Sequence, residues 1–69
     1  MEHKFGKTLR ELRIESNMTQ RQLASIINVS HVTIGDWEAR GHEPSFQTLV
    51  DLAKFFKITV GQLLGVEEY

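Results

Sequence analysis

The side chains able to do covalent chemistry in this chain are few and poorly assembled. Three histidines, His3, His31 and His42, lack metal-ligand spacing, and cysteine is absent, so no tetrahedral set of the zinc type can be completed. No glycine-rich phosphate loop is present, nor a nucleophile with a base and an orienting group. An enzyme is therefore the weakest reading, with no metal and no cofactor expected. The groups left for non-covalent recognition stand in two short stretches: Thr19, Gln20 and Arg21, then Ser30, His31, Val32 and Thr33 with Asp36 and Arg40 beyond. Each stretch opens on a hydroxyl residue suited to the N-terminus of a helix.

The elements that must position these groups are short helices. The 69 residues make one small domain, since two cores would each fall below the size that holds unaided. Without cysteine the chain must rely on apolar packing, as a cytoplasmic protein would, and 41% apolar residues make that feasible. Uninterrupted apolar runs do not exceed two residues, which counts against a membrane span, and no secretory signal is visible. A single proline and scattered β-branched residues favour an all-α fold over strands.

The first helix, about Phe5 to Ser16, places Phe5, Leu9 and Leu12 inward and Lys7, Arg10, Glu11 and Glu15 toward water, with Asn17 as its stop. Thr19 and Gln22 form a capping box that opens a second helix with Leu23, Ala24 and Ile27 inside. Asn28 suits a tight left-handed turn. Ser30 caps a third helix over roughly His31 to Ala39, in which Ser30, Ile34 and Trp37 share the core side. After a loop from Gly41 to Ser45, a fourth helix carries Phe46, Leu49, Ala53 and Phe56 at helical spacing. Thr59 and Gln62 form a second capping box for a short fifth helix through Val60, Leu63 and Leu64, stopped by Gly65. Glu67, Glu68 and Tyr69 are expected to fray, within a tail of residues 66-69.

The unit at about residues 20-39, two helices joined by a tight turn with Ala24 at their crossing, has the spacing of a DNA-binding helix-turn-helix, save that Asn28 stands where glycine is usual. The resemblance extends over nearly the whole chain. It is carried by Leu9-Arg10-Glu11-Leu12-Arg13, Met18-Thr19-Gln20, Leu23-Ala24, Val29-Ser30, Trp37-Glu38, Glu43-Pro44-Ser45, Leu52-Ala53, Thr59 and Leu63-Leu64-Gly65. The sequence resembles the Cro/repressor-type helix-turn-helix proteins, also called the XRE family. The resemblance implies a compact five-helix bundle, a lambda repressor-like DNA-binding domain spanning 1-69, that binds operator DNA in the major groove as a homodimer.

Under that resemblance Gln20 stands at the phosphate-binding glutamine, strengthened by the free N–H groups and positive end of its helix. Thr19 and Arg21 flank it. On the third helix the side opposite the core centres on Val32, with Gly35 and Asp36 next to it and His31 and Thr33 on the flanks, so these are the base-reading candidates. Val32 is either an unremarkable exposed valine or a partner for a thymine methyl; His31 is either an ordinary exposed histidine or a base or phosphate donor. Asp36 is read as a solvated helix residue that phosphate would repel, with acceptance from a cytosine amino group as the alternative. Arg40 replaces a usual terminal glycine, and Lys57 replaces another. Arg13 and Glu38 are expected to pair, and Phe55, Val60, Leu64 and Val66 to form the dimer surface.

Charge alone points weakly the other way. The net value is −1 with pI near 6.3, although Lys4, Lys7, Arg10, Arg13 and Arg21 outweigh Glu2, Glu11 and Glu15 in the first part of the chain. Two functions therefore compete: a stand-alone sequence-specific transcription regulator, most plausibly a repressor, and a protein-interaction module, antitoxin-like or an adaptor, that works by pairing. Neither needs a membrane or a small-molecule ligand. The landmarks at Gln20 and Ser30 favour the regulator.

Overall fold

The computed structural model describes residues 4–68; the expectations placed on Glu2, His3 and Tyr69 lie outside them. Among the described residues there are five helices and no strand: α1 Phe5–Glu15, α2 Gln20–Ile27, α3 His31–Ala39, α4 Phe46–Phe56 and α5 Val60–Leu63. Four of the five starts are set by side-chain caps. Thr19 and Thr59 make full capping boxes with Gln22 and Gln62, while Ser30 and Ser45 accept from the N–H groups of Thr33 and Thr48. Each such cap satisfies a backbone donor that the helix leaves unpaired, worth about 1 kcal/mol.

The stops are equally local. Asn17, Asn28 and Lys57 take left-handed backbone angles after α1, α2 and α4, as does Gly65 after α5. Lysine has no side-chain chemistry that favours φ of 60°, so Lys57 stores strain that glycine would not. Lys57→Gly is expected to raise the unfolding free energy by about 1 kcal/mol, read as a higher urea midpoint at unchanged slope.

One core joins the helices. Phe5, Leu9 and Leu12 of α1 meet Leu23 and Ala24 of α2, Ile34 and Trp37 of α3, Leu49, Leu52 and Ala53 of α4, and Leu63 of α5. Three expectations from the sequence are corrected here. Phe46 does not join the inner face of α4 and stands 72% exposed, because side chains lean toward a helix N-terminus and the first residue overhangs the core's edge; Leu52 fills the inner face instead. Ser30 is exposed, its hydroxyl being committed to the α3 cap rather than to the core side. Glu67 and Glu68 do not fray: the Thr59 hydroxyl donates to the Glu67 carboxylate at 2.6 Å and the Gln62 amide to the Glu68 carbonyl at 2.9 Å.

Candidate functional site

The helix-turn-helix is built where α2 and α3 cross. Asn28 turns the chain in the left-handed region, so that the Val29 N–H reaches the Ala24 carbonyl at 3.0 Å. Only two residues then separate the turn from α3. Ala24 lies buried at the crossing, where a larger side chain would push the helices apart. Ile34 and Trp37 anchor α3 from below, which leaves its opposite side free. Val32 is the centre of that side, 59% exposed.

A polar network fixes the angle at which this side is held. The Arg13 guanidinium donates to both oxygens of Glu38, at 2.8 and 3.0 Å, and to the Met18 carbonyl at 2.7 Å. Gln20 donates to Glu38 as well, at 3.2 Å. One carboxylate therefore binds α1, the start of α2 and the end of α3 together. The pair is largely removed from water, with side chains 11% and 3% exposed. Its hydrogen bonds raise the Arg13 pKa above the ordinary guanidinium value, against the opposing effect of burial.

The family resemblance pointed to Arg13 with Glu38; nothing in the sequence signalled Gln20 joining them. Nor did it suggest that the Gln20 amide would lie over Gly35, within about van der Waals distance of where a side chain at that position would begin. A methyl group at Gly35 would make only an ordinary contact with that amide, so a small side chain there is compatible with Gln20 at the head of α2.

The remaining candidates divide into groups. Arg21 and His31 line a groove with Arg13, Thr19 and Gln20, where the N-termini of α2 and α3 approach each other. Thr19 and Ser30 are both engaged as caps, and the Thr33 hydroxyl is 2.9 Å from that of Ser30, so Thr33 supports the start of α3 more than it projects. Asp36 faces the guanidinium of Arg40, one helical turn on, at 3.6 Å, and the His42 ring at 4.0 Å. The i,i+4 spacing of Asp36 and Arg40 was a signal for this surface pair that the sequence did offer. Far from these groups, Phe55 and Val66 are exposed, the Phe55 ring lying edge-on to Phe56 with centroids 4.9 Å apart. Val60 and Leu64 are half-buried and pack against the core, so only part of each is free.

Comparison with known proteins decides what this arrangement is. The helix-turn-helix family description matches residues 9–63, most of the chain. The protein belongs to the helix-turn-helix family. Within that family it falls among the Cro/repressor-like, XRE-type members. This helix-turn-helix domain is 39% identical over 93% of its length to the transcriptional activator BcrR of Enterococcus faecalis, covering 31% of that protein. It is 30% identical over 93% of its length to the phage CTXphi transcriptional repressor RstR of Vibrio cholerae, covering 58% of it. The chain thus spans less than two thirds of the length of these curated relatives. Among solved structures, a transcriptional regulator from Listeria innocua superposes with a TM-score of 0.90 at 25% identity, over 100% of this chain and 64% of that one. The P22 c2 repressor, solved in complex with a synthetic operator, superposes with a TM-score of 0.82 at 28% identity, over 91% of this chain and 96% of that one. Among the described residues of the helix-turn-helix domain no helix is long and apolar enough to cross a membrane.

Proposed function

We propose that this protein is a sequence-specific DNA-binding transcription regulator of the cytoplasm, acting without catalysis as a repressor that occupies a palindromic operator as a homodimer. The observation that carries the reading is the free outer side of α3, centred on exposed Val32 and held at a fixed angle by the bonds from Arg13 and Gln20 to Glu38. A solved relative of the same fold, the P22 c2 repressor, holds an operator. In this reading α3 lies in the major groove, Gln20 and the N-terminus of α2 anchor phosphate, and Arg21 and Arg40 add attraction that carries no sequence information. His31, at the head of α3, donates to the backbone or a base edge. Occupying the operator excludes other proteins from it, and that is sufficient for repression.

Two variants test the surface. Val32→Ala is expected to lose on the order of 1 kcal/mol at the base pair whose thymine methyl it meets, and little on non-specific DNA. Gln20→Ala is expected to weaken all sequences alike. Titration of the parent and both variants against an operator and its single-base changes, at fixed salt, separates the two patterns. Equal losses from Val32→Ala on every duplex would show that α3 does not read thymine there, and unchanged binding in both variants would remove the surface from DNA recognition.

The homodimer rests on the apolar surface at the end of α4 and beyond α5. Phe55 and Val66 are its exposed members and Val60 and Leu64 its half-buried ones. Pairing by a two-fold axis doubles the base contacts of a small domain and explains an exposed phenylalanine that the core does not need. Sedimentation should show dimers for the parent at micromolar concentration and monomers for Phe55→Glu with its helical content intact. A parent that sediments as a monomer at high micromolar concentration would contradict this.

A further inference from the structure

The groove that contains Gln20, Arg21 and His31 ends at the Arg13–Glu38 pair, and a second groove begins on the other side of it. Arg13 lines the first; Glu38 lines the second, together with Lys7, Arg10, Glu11 and Ile14 of α1. Lys7 and Arg10 are exposed, and among the described residues neither has a carboxylate at ion-pair distance. Glu38 contributes little free charge, since Arg13 and Gln20 already bind it.

The charges on α1 are also sorted around the helix. At about 100° per residue, moving round its exposed side from Arg13 meets Arg10, then Ile14 and Lys7, and only then Glu11 and Glu15. Arg10 stands beside Arg13, and Lys7 lies between Arg10 and Glu11, which shares the second groove, while Glu15 lies farther round. Two unpaired cations one turn apart, continuous with a surface that already holds phosphate in the reading above, fit a second stretch of the same polyanion.

We propose that Lys7 and Arg10 bind the phosphate backbone of the duplex flanking the operator, extending the footprint past the bases that α3 reads. The proposal rests on the operator reading, and its occupant is DNA because charge and continuity both point there. Such contacts add affinity without sequence preference, and each phosphate neutralised steepens the dependence of log affinity on log salt by about 0.9.

The test compares two duplexes, one cut at the operator's ends and one extended by a helical turn of mixed sequence on each side. The parent should show a steeper salt slope and tighter binding on the extended duplex. Lys7→Gln with Arg10→Gln should bind the short duplex as the parent does and gain nothing from the extension, its slope there falling by about 0.9 for each phosphate left without its cation. Glu11→Gln should strengthen binding to the extended duplex alone, and it keeps the test open should the double variant lose its fold. Equal slopes for the parent on both duplexes, or a double variant that keeps the parent's gain, would overturn the flanking contact while leaving the operator reading intact. A parent that binds neither duplex would overturn both.

Discussion

Replacing Arg13 with methionine is expected to lower the unfolding free energy by about 3 kcal/mol, because it leaves a buried carboxylate without its main partner. The Glu38 side chain is 3% exposed and receives two bonds from Arg13, against one from Gln20. Methionine keeps much of the apolar volume of the arginine stem, so reduced packing contributes little. Small domains are stable by only about 5–15 kcal/mol, so the urea midpoint should fall by a large fraction. The double variant Arg13→Met with Glu38→Leu should recover much of the loss, since it removes the stranded charge along with its partner. An unchanged midpoint for Arg13→Met would show that the pair holds nothing together.

Gly6→Ala is expected to destabilise the protein by about 2 kcal/mol through overpacking. In an isolated helix the same change would stabilise by about 1 kcal/mol. Gly6 sits where α1 lies directly on the last turn of α3. A methyl group there would collide with the Trp37 carbonyl oxygen and come within 3.0 Å of the Glu38 carbonyl oxygen. Both obstacles are backbone, so relief requires α1 and α3 to move apart, which also stretches the bonds from Arg13 to Glu38. A thermal midpoint raised by Gly6→Ala would contradict this close approach.

These two positions show how far the sequence could be read. The helices and their caps were legible because the signals are local: Thr19 with Gln22 and Thr59 with Gln62 need only three residues of spacing to close a capping box. Arg13 with Glu38 was legible through the resemblance and not through spacing, since the two are far apart in sequence and meet only by packing. Gly6 was not legible, because whether a glycine inside a helix is tolerated or required depends on what crosses it. The same holds at the other end of the chain. Glu67 reads as a frayed tail in sequence, and is tied down by the hydroxyl of Thr59 only because Gly65 reverses the chain at φ 76°. At the site, the outer side of α3 followed from helical periodicity. Asp36 with Arg40 was offered by their i,i+4 spacing, whereas the engagement of Gln20 by Glu38 and of Asp36 by His42 depended on side-chain reach across that surface.

The central claim is that this chain reads DNA with the outer side of α3, twice, across a two-fold axis. The most direct measurement is selection of bound fragments from random duplex DNA by the parent protein, followed by sequencing. The account predicts a palindrome whose half-sites lie about one helical turn apart, with a thymine-containing position in each half that Val32→Ala ceases to select. Fragments recovered with no common sequence, or a single unrepeated half-site, would contradict it.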